Sequence, residues 1–315
     1  MFASIDLGGT TIGALIATSD GRILGERAIP TQSAEGPQAV LERIAQLVNS
    51  LAAEAGAHPK GLGMGAPGLI DLETGRSLFL PNLATQWRDI PIAGILSPLV
   101  GCPVRVLNDA RLATLGELHY GHGRTARNMI YFTLGTGIGG GVVIDGKLRL
   151  GPFGAAGELG HQTIDPNGPL CGCGNRGCLE TLAAAPAVTA EGVRLLRSGL
   201  AGKLHEITGG NADLVNPKTM IEAARAGEAS VEAAIVRAAR YLGIGAANLV
   251  TALHPELVVL SGGMSAIGDL LTATVRDEIR KRVRMVPTDG IRVEISQLGD
   301  KAGAWGGIAL AAQSL

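Results

Sequence analysis

Short apolar stretches separated by glycine-rich turns open the chain. Residues 2–7, 12–17 and 22–28 form three apolar runs, divided by turns at 8–11 and 20–21. Apolar runs of this length between glycine turns are typical of β-strands joined as hairpins. The pattern therefore predicts a three-stranded meander at the N-terminus.

Helical spacing appears next. Residues 37–55 place six apolar side chains on one face, at Val40, Leu41, Ile44, Leu47, Val48 and Leu51, which predicts an amphipathic helix. Apolar runs at 62–66 and 104–107 predict two further strands, and the residues after the second one predict a helix over 109–120.

The opening pattern then returns about 130 residues later. A predicted strand at 129–134 runs into a glycine-rich turn at 135–141, and shorter strands follow at 142–144 and 147–150. Ile5-Asp-Leu-Gly-Gly-Thr10 is echoed by Thr133-Leu-Gly-Thr-Gly-Ile138. Two copies of one supersecondary unit predict a duplicated α/β fold with a cleft between its halves.

The C-terminal part alternates predicted helices and strands after a loop-rich stretch at 151–178. The predicted helices lie at 186–198, 217–226, 228–253, 268–284 and 301–312, and the predicted strands at 257–260 and 291–298.

Composition narrows the class of protein. A length of 315 residues fits about two domains. The net charge of −1 gives no general attraction to nucleic acid or acidic membranes. The content of 46% hydrophobic and 17% charged residues excludes a disordered chain. The N-terminus has neither a basic segment nor an apolar core of a secretion signal, so we expect a cytoplasmic protein.

Two glycine turns are candidate phosphate sites. Gly8, Gly9, Thr10 and Thr11 follow the first strand, and Thr136, Gly137 and Gly139 follow its counterpart in the repeat. Backbone N–H groups in such turns can converge on phosphate oxygens. A tight hairpin alone also requires glycine, but the occurrence of two equivalent copies favours phosphate binding.

Two further features of strand ends fit a nucleotide. Asp6 ends the first strand and can hold Mg²⁺ directly or through water, or merely cap the turn. Gly262 and Gly263 follow the strand at 257–260, where exposed backbone can admit a flat ring such as adenine.

Asp109 is the candidate general base. It follows the strand at 104–107, and ligands of α/β sheets lie at the carboxyl ends of strands. A carboxylate there can accept a proton from a substrate hydroxyl during phosphoryl transfer. An ordinary helix N-cap is the alternative explanation for Asn108-Asp109. Gly68 and Asn82 occupy similar junctions of strand and loop.

A Cys/His cluster predicts a metal site. His161, Cys171, Cys173 and Cys178 can supply a closed Cys₃His set for structural Zn²⁺ in a predicted loop at 161–178. A ligand at His161 would also fix Glu158 and Glu180 nearby, which suits them to bind sugar hydroxyls, unless each is simply exposed to solvent. Cys102 is distant and is predicted to be a small apolar filler.

These motifs together resemble the ROK family of bacterial sugar kinases and repressors, in the actin/hexokinase-like ATPase superfamily. The matching segments are Asp6-Leu-Gly-Gly-Thr10, Gly63-Met-Gly-Ala-Pro-Gly68, Leu80-Pro-Asn82, Asn108-Asp-Ala110, Leu134-Gly-Thr-Gly-Ile-Gly-Gly-Gly141, Gly157-Glu-Leu-Gly-His161, the run 171–180 and Ala302-Gly-Ala-Trp-Gly-Gly307.

The resemblance implies a fold and a set of roles. It implies two ribonuclease-H-like α/β domains, at 1–115 with 302–315 and at 116–301, with ATP between them and Asp109 as base on a sugar 6-hydroxyl. It implies homodimers or homotetramers. The sugar contacts that it implies are Gly68, Asn82, Asn108, Asp109, Glu158, His161 and Glu180.

The resemblance also implies an activity. We expect an ATP- and Mg²⁺-dependent hexokinase of the glucokinase type, since residues 81–88 are more similar to that branch. Kinases of N-acetylglucosamine, N-acetylmannosamine, mannose or fructose are alternatives, as is a sugar-binding regulator without catalysis. The repressors carry a DNA-binding segment before the first motif; since that motif begins here at Asp6, we expect a kinase and not a repressor. Thr11 departs from the lysine that most of the kinases carry there, and Leu107 from a common glutamate.

Overall fold

A computed structural model of the chain describes residues 1–313. Its internal contacts group into two units, the first made of Met1–Ala126, Val142–Gly157 and Ser296–Leu315 and the second of Arg127–Gly141 and Glu158–Ile295. The predicted domain limits, 1–115 with 302–315 and 116–301, stay a prediction, and residues 314 and 315 of that division lie outside the described residues.

The first unit combines strands and helices in the predicted order. Its strands are β1 (Phe2–Leu7), β2 (Thr11–Ala17), β3 (Ile23–Pro30), β4 (Leu62–Ala66), β5 (Leu69–Asp71), β6 (Arg76–Phe79) and β7 (Val104–Asn108). Its helices are α1 (Pro37–Glu54), α2 (Ile92–Val100) and α3 (Asp109–Tyr120), with α10 (Ala302–Ala312) added from the C-terminal segment.

A five-stranded sheet organises this unit, in the order β3-β2-β1-β4-β7. β1 pairs antiparallel with β2 and β2 with β3, which confirms the predicted meander. β4 pairs parallel with β1 and with β7. The carboxyl ends of β1, β4 and β7 therefore lie at one edge of the sheet, where ligands of α/β proteins bind.

The core of the unit is largely aliphatic, in keeping with a content of only 3% aromatic residues in the chain. All six residues that define the apolar face of α1 are buried, in one cluster with β1, β2 and β4. Cys102 is buried beside them, in agreement with the prediction of an apolar filler.

Helix α3 is held at close range by α10. A Cβ atom built on Gly116 of α3 would come within 2.1 Å of the Ala302 carbonyl oxygen, and one on Gly306 of α10 within 1.7 Å of the Leu112 carbonyl oxygen. Because no side chain fits there, the two glycines allow the helix backbones to touch. This packing fixes the helix that begins at Asp109.

The second unit repeats the arrangement. Its strands are β8 (Met129–Leu134), β11 (Leu257–Ser261), β12 (Arg292–Ile295) and the first part of β9 (Ile138–Ile144). The short β10 (Lys147–Leu148) pairs with the end of β9, and both segments belong to the first unit. Its helices are α4 (Leu179–Ala183), α5 (Ala185–Arg197), α6 (Gly202–Thr208), α7 (Pro217–Arg225), α8 (Ala229–Leu253) and α9 (Asp269–Arg282).

The second sheet has the order β10-β9-β8-β11-β12. When the strands of each sheet are counted in chain order, both sheets have the spatial order third, second, first, fourth, fifth. β11 pairs parallel with β8 and β12, just as β4 pairs with β1 and β7. The duplication predicted from the two glycine turns is confirmed. The boundary between the two units falls within β9.

Several local expectations were wrong. A glycine turn was predicted over residues 135–141. The observed turn ends before Ile138, where β9 begins, so Gly139 lies in the strand. A Cβ on Gly140 would come within 2.7 Å of the Tyr131 carbonyl oxygen, so these strand glycines permit close packing. Helix α2 and the hairpin of β5 and β6 were not predicted.

Within residues 1–313, no helix has both the length and the apolar character needed to cross a membrane.

Candidate active site

The end of β7 places Asn108 and Asp109 at the start of α3. The Asn108 side chain, not that of Asp109, is the N-cap, since its Oδ1 accepts hydrogen bonds from the backbone N–H groups of Ala110 and Arg111. Asp109 is the first helical residue, and its Oδ1 accepts a bond from the Ala110 N–H at 2.8 Å. The capping role therefore falls to Asn108, and Asp109 is a half-buried carboxylate in the first turn of the helix.

Asp6 lies at the end of β1, at the same edge of the sheet. A Cβ atom built on Gly65 of β4 would come within 3.6 Å of both Asp6 Oδ1 and the Asp109 Cα, which shows how near the two acids lie. Burial and, to a smaller extent, the charge of Asp109 raise the pKa of Asp6 to about 6. Two acids in one partly desolvated corner form an electrostatic setting that favours a divalent cation.

The first glycine turn is braced from two sides. The Gly8 N–H donates to the Thr11 carbonyl oxygen at 2.9 Å, and the Thr31 hydroxyl donates to the Gly8 carbonyl oxygen at 2.7 Å. A Cβ on Gly9 would come within 3.0 Å of the Asn82 carbonyl oxygen. The turn with Thr10 and Thr11, both exposed, thus lies against the Asn82 backbone, so two groups of predicted site residues are brought together.

Gly68 closes the same corner of the first unit. Its carbonyl oxygen accepts a hydrogen bond from Asn108 Nδ2 at 3.2 Å. Its φ of +150° and a Cβ position only 2.3 Å from the Phe79 carbonyl oxygen admit no other residue than glycine. Gly68, Asn108 and Asp109 therefore form one connected group.

In the second unit, the glycine turn between β8 and β9 is tied to Glu180. The Ile138 N–H donates to Glu180 Oε2 at 2.9 Å, and a Cβ on Gly137 would come within 2.3 Å of that oxygen. A Cβ on Gly160 would come within 2.0 Å of the Ile138 carbonyl oxygen. The turn with the exposed Thr136 thus packs on the segment that carries Glu158 and His161.

The third glycine turn joins this group. Gly262 has a φ of +84°, and a Cβ there would come within 2.6 Å of the Leu134 carbonyl oxygen, so the fold itself requires this glycine. Gly263 differs, because its φ is not positive and a Cβ would meet no atom within 4 Å.

Gly263 instead opens onto a cavity of about 550 Å³, formed with one face of α7. The residues that line it are Lys218, Ile221, Glu222, Arg225, Gly263 and Ala266. This volume accommodates a nucleoside.

The cysteine loop forms a potential metal site. The ligand atoms of His161, Cys171, Cys173 and Cys178 all lie within 4.8 Å of one another. His161 Nδ1 lies 3.6 Å from the Cys171 sulfur, and the sulfurs of Cys173 and Cys178 are 3.7 Å apart. Zinc at its usual distance of about 2.3 Å from sulfur would space neighbouring ligands by roughly 3.5–3.8 Å. The donor set and its spacing fit a tetrahedral zinc ion.

The pKa values of two of the clustered thiols shift in opposite directions. Burial, reinforced by the neighbouring thiols, raises the pKa of Cys178 to about 12, whereas a backbone hydrogen bond from Asn175 and the neighbouring thiols lower that of Cys173. A dication supplies the positive charge that clustered thiolates need.

Because His161 Nδ1 faces the sulfurs, Nε2 is left on the opposite edge of the ring. There it lies 3.8 Å from Glu158 Oε2. One ring nitrogen thus faces the sulfurs and the other faces the Glu158 carboxylate.

Three features of the site were not found by sequence reasoning. Arg111 is buried next to Asn108, the charged face of α7 lines the cavity, and Glu180 holds the β8–β9 turn. A helix with charged residues at positions 218, 222 and 225 normally signals a solvated face. Nothing in the linear pattern distinguishes such a face from one that borders a cavity.

Comparison with known proteins extends this picture. The ROK family matches residues 2–314. A glucokinase of Halalkalibacterium halodurans is 36% identical, covering 97% of this chain and 93% of its own. A xylose repressor of Caldicellulosiruptor bescii is 33% identical, covering 97% of this chain and 76% of its own.

Among solved structures, a ROK family glucokinase from Streptomyces griseus in complex with glucose and AMPPNP superimposes with a TM-score of 0.84. It is 33% identical and covers 99% of both chains. The predicted α/β fold of the actin-like ATPase type is confirmed.

Proposed function

The chain belongs to the ROK family and is an ATP-dependent hexose kinase; we propose that its substrate is glucose, phosphorylated at the 6-hydroxyl. The observation that carries the proposal is the pair of acids at the ends of β1 and β7, beside the braced glycine turn. Phosphoryl transfer needs a positioned base and a site for the cation that accompanies the nucleotide, and the two acids supply both.

In the proposed reaction Asp109 accepts the proton of the sugar 6-hydroxyl. The resulting oxygen attacks the γ-phosphorus of ATP as the bond from that phosphorus to the β,γ-bridging oxygen breaks. The products are hexose 6-phosphate and ADP, and the proton passes from Asp109 to solvent. Asn108 carries the capping bonds of α3, and Asp109 stands next to it at the carboxyl end of β7, where a carboxylate can serve as the base.

We assign the sugar contacts to residues that share hydrogen-bonding capacity near the two acids or the zinc loop. They are Gly68, Asn82, Asn108, Asp109, Glu158, His161 and Glu180. Carboxylates and a fixed amide read hydroxyl groups through directed hydrogen bonds, which is how one hexose is distinguished from its epimers.

We assign ATP to the glycine turns. The two equivalent turns would hold phosphate oxygens. The residues concerned are Gly8, Gly9, Thr10 and Thr11 and, in the repeat, Thr136, Gly137 and Gly139. Gly262 and Gly263 would lie against the adenine ring. The cavity at Gly263 supports the last assignment, because it explains a glycine that the fold does not need.

Two metal ions complete the proposal. Asp6 would hold Mg²⁺, which offsets phosphate charge when bound. Burial and, to a smaller extent, the charge of Asp109 raise the pKa of this carboxyl, and a bound cation would favour its ionised form. His161, Cys171, Cys173 and Cys178 would hold a structural Zn²⁺. With these four residues as ligands, a zinc ion would have no open position for catalysis, so its role would be structural.

A sugar panel with ATP and Mg²⁺ tests this function. ADP release and ³¹P NMR of the product are measured for glucose, mannose, fructose, N-acetylglucosamine and N-acetylmannosamine. We expect glucose to give the highest kcat/KM and a 6-phosphate, and 6-deoxyglucose to give no phosphosugar. Higher kcat/KM for an N-acetylhexosamine would refute glucose as substrate, and binding without ADP release would indicate a sugar-responsive regulator.

A further inference from the structure

A buried arginine lies directly beside the proposed catalytic acid. Arg111 is in the first turn of α3, and only 1% of its surface is exposed. Burying a guanidinium is costly unless its N–H groups find acceptors, so an arginine in this position needs a specific reason.

The acceptors of Arg111 connect two parts of the first unit. Its Nη1 donates to Asn108 Oδ1 at 3.2 Å, and its Nη2 donates to the carbonyl oxygen of Ala155 at 3.3 Å. The planar fork thus spans from the N-cap of α3 to the loop at 151–157. Lysine, with a single terminal nitrogen, cannot reproduce this two-point geometry.

The loop at 151–157 has a backbone that needs an anchor. Gly151, Phe153, Gly154 and Gly157 all have φ between +57° and +98°, and Phe153 is not a glycine. Glycine adopts this region freely, but a residue with a side chain, as at Phe153, persists there only where surrounding contacts hold it. The loop leads directly into Glu158, one of the proposed sugar ligands.

The other end of the fork fixes the Asn108 amide. Oδ1 faces α3 and accepts from the Ala110 and Arg111 N–H groups and from Arg111 Nη1, while Nδ2 donates one of its two hydrogens to Gly68. The second N–H of Nδ2 is the one left to donate to a sugar oxygen.

We propose that Arg111 is a positioning residue of the sugar site, which holds the Asn108 amide and the loop at 151–157 in the arrangement that binds the hexose. The inference rests on the proposed function, since it assumes that a sugar lies at Asn108 and Asp109. It predicts that Arg111 acts on sugar affinity and not on nucleotide affinity.

The test is Arg111→Lys, which keeps a cation and most of the aliphatic stem, together with Arg111→Met, which removes the charge. Glucose binding is measured by calorimetry without nucleotide, and KM for glucose, KM for ATP and the melting temperature are measured alongside. We expect Arg111→Lys to fold and to weaken glucose binding about tenfold or more, with KM for ATP changed less than twofold. We expect Arg111→Met to weaken it further; if this variant fails to fold, Arg111→Lys decides.

Glu117→Gln is the matched control. Glu117 lies on the same helix, is fully buried, and accepts hydrogen bonds from the His122 N–H, the Ser296 hydroxyl and the Gln297 N–H. This variant should lower the melting temperature without a selective loss of glucose affinity.

The outcomes separate the two proposals. Wild-type glucose affinity in Arg111→Lys, or equal losses for glucose and ATP, would overturn the role of Arg111 and leave the kinase proposal intact. A wild-type protein that neither binds nor phosphorylates any hexose would instead remove the proposed function.

Discussion

At the scale of single residues, the site depends on side chains whose environment differs from what their type would suggest. Asp6 is largely buried and lies near a second acid, which raises its pKa to about 6. Asn108 takes over the cap of α3, so that Asp109 does not have to. Both acids could be placed at strand ends from the sequence. Which residue caps α3, Asn108 or Asp109, could not be decided, because Asn and Asp are equally good N-cap residues.

Asp6→Asn is predicted to stabilise the metal-free protein while it removes activity. A carboxyl whose pKa is raised from 3.8 to about 6 binds its proton more tightly when folded. Its contribution to stability is therefore present below pH 4, falls as the pH rises to 6, and stays low above. The difference between the two pKa values corresponds to about 3 kcal/mol of unfolding free energy that is lost at pH 7. Asp6→Asn should regain this free energy, as measured by urea unfolding at pH 7 without Mg²⁺.

Asp71→Asn is the control for this effect. Asp71 is a partly exposed acid of the same unit, and a hydrogen bond from the Thr74 hydroxyl lowers its pKa. Its replacement should bring no gain in stability at pH 7. If Asp6→Asn and the wild-type protein have equal unfolding free energies at pH 7, and these depend on pH in the same way, a buried ionised Asp6 is contradicted.

At the scale of elements, the candidate site residues lie at the ends of strands, at the start of α3 and in the turns and loops that follow the strands. The glycine turns after β1, β8 and β11 and the cysteine loop were all recognised from sequence, because glycine and cysteine have few other reasons to cluster. The cavity beside α7 was not, since a pocket depends on which helix face meets a distant turn.

Cys173→Ser tests the cysteine loop. A serine oxygen is a poor substitute for a zinc-bound thiolate, so the variant should purify with little zinc by elemental analysis. Loss of zinc should also destabilise the fold. We expect the melting temperature to drop by about 5–10 °C, since each kcal/mol of lost unfolding free energy lowers it by roughly 2–4 °C in a domain of this size. Cys102→Ala, at a buried thiol far along the chain, should keep its zinc. Equal zinc in Cys173→Ser would refute the structural site.

Gly263→Ala tests the nucleotide cavity. The new methyl group meets no protein atom within 4 Å, so the melting temperature should not change. It would intrude on a bound base, and KM for ATP should rise about tenfold with KM for glucose unaltered. Gly290→Ala is matched, since its Cβ also meets no atom within 4 Å and it does not line the cavity. Unchanged KM for ATP in both variants would place the base elsewhere.

At the scale of the whole molecule, the duplication is the feature that the sequence predicts best. Two copies of strand, glycine turn and strand give two sheets of the same strand order. Helix α2 was missed because Pro98 lies within it, and proline normally argues against a helix. The bonds from Ser296 and Gln297 to Glu117 join residues about 180 positions apart, and no local pattern announces such contacts.

The turnover of Asp109→Asn tests the central claim most directly. The variant keeps the size and the helix position of the side chain but accepts no proton from the sugar. We expect kcat for glucose to fall by about 10²–10⁴-fold, with the circular dichroism spectrum and the calorimetric affinity for glucose close to wild type. Turnover near that of the wild-type enzyme would contradict the assignment of Asp109 as the base.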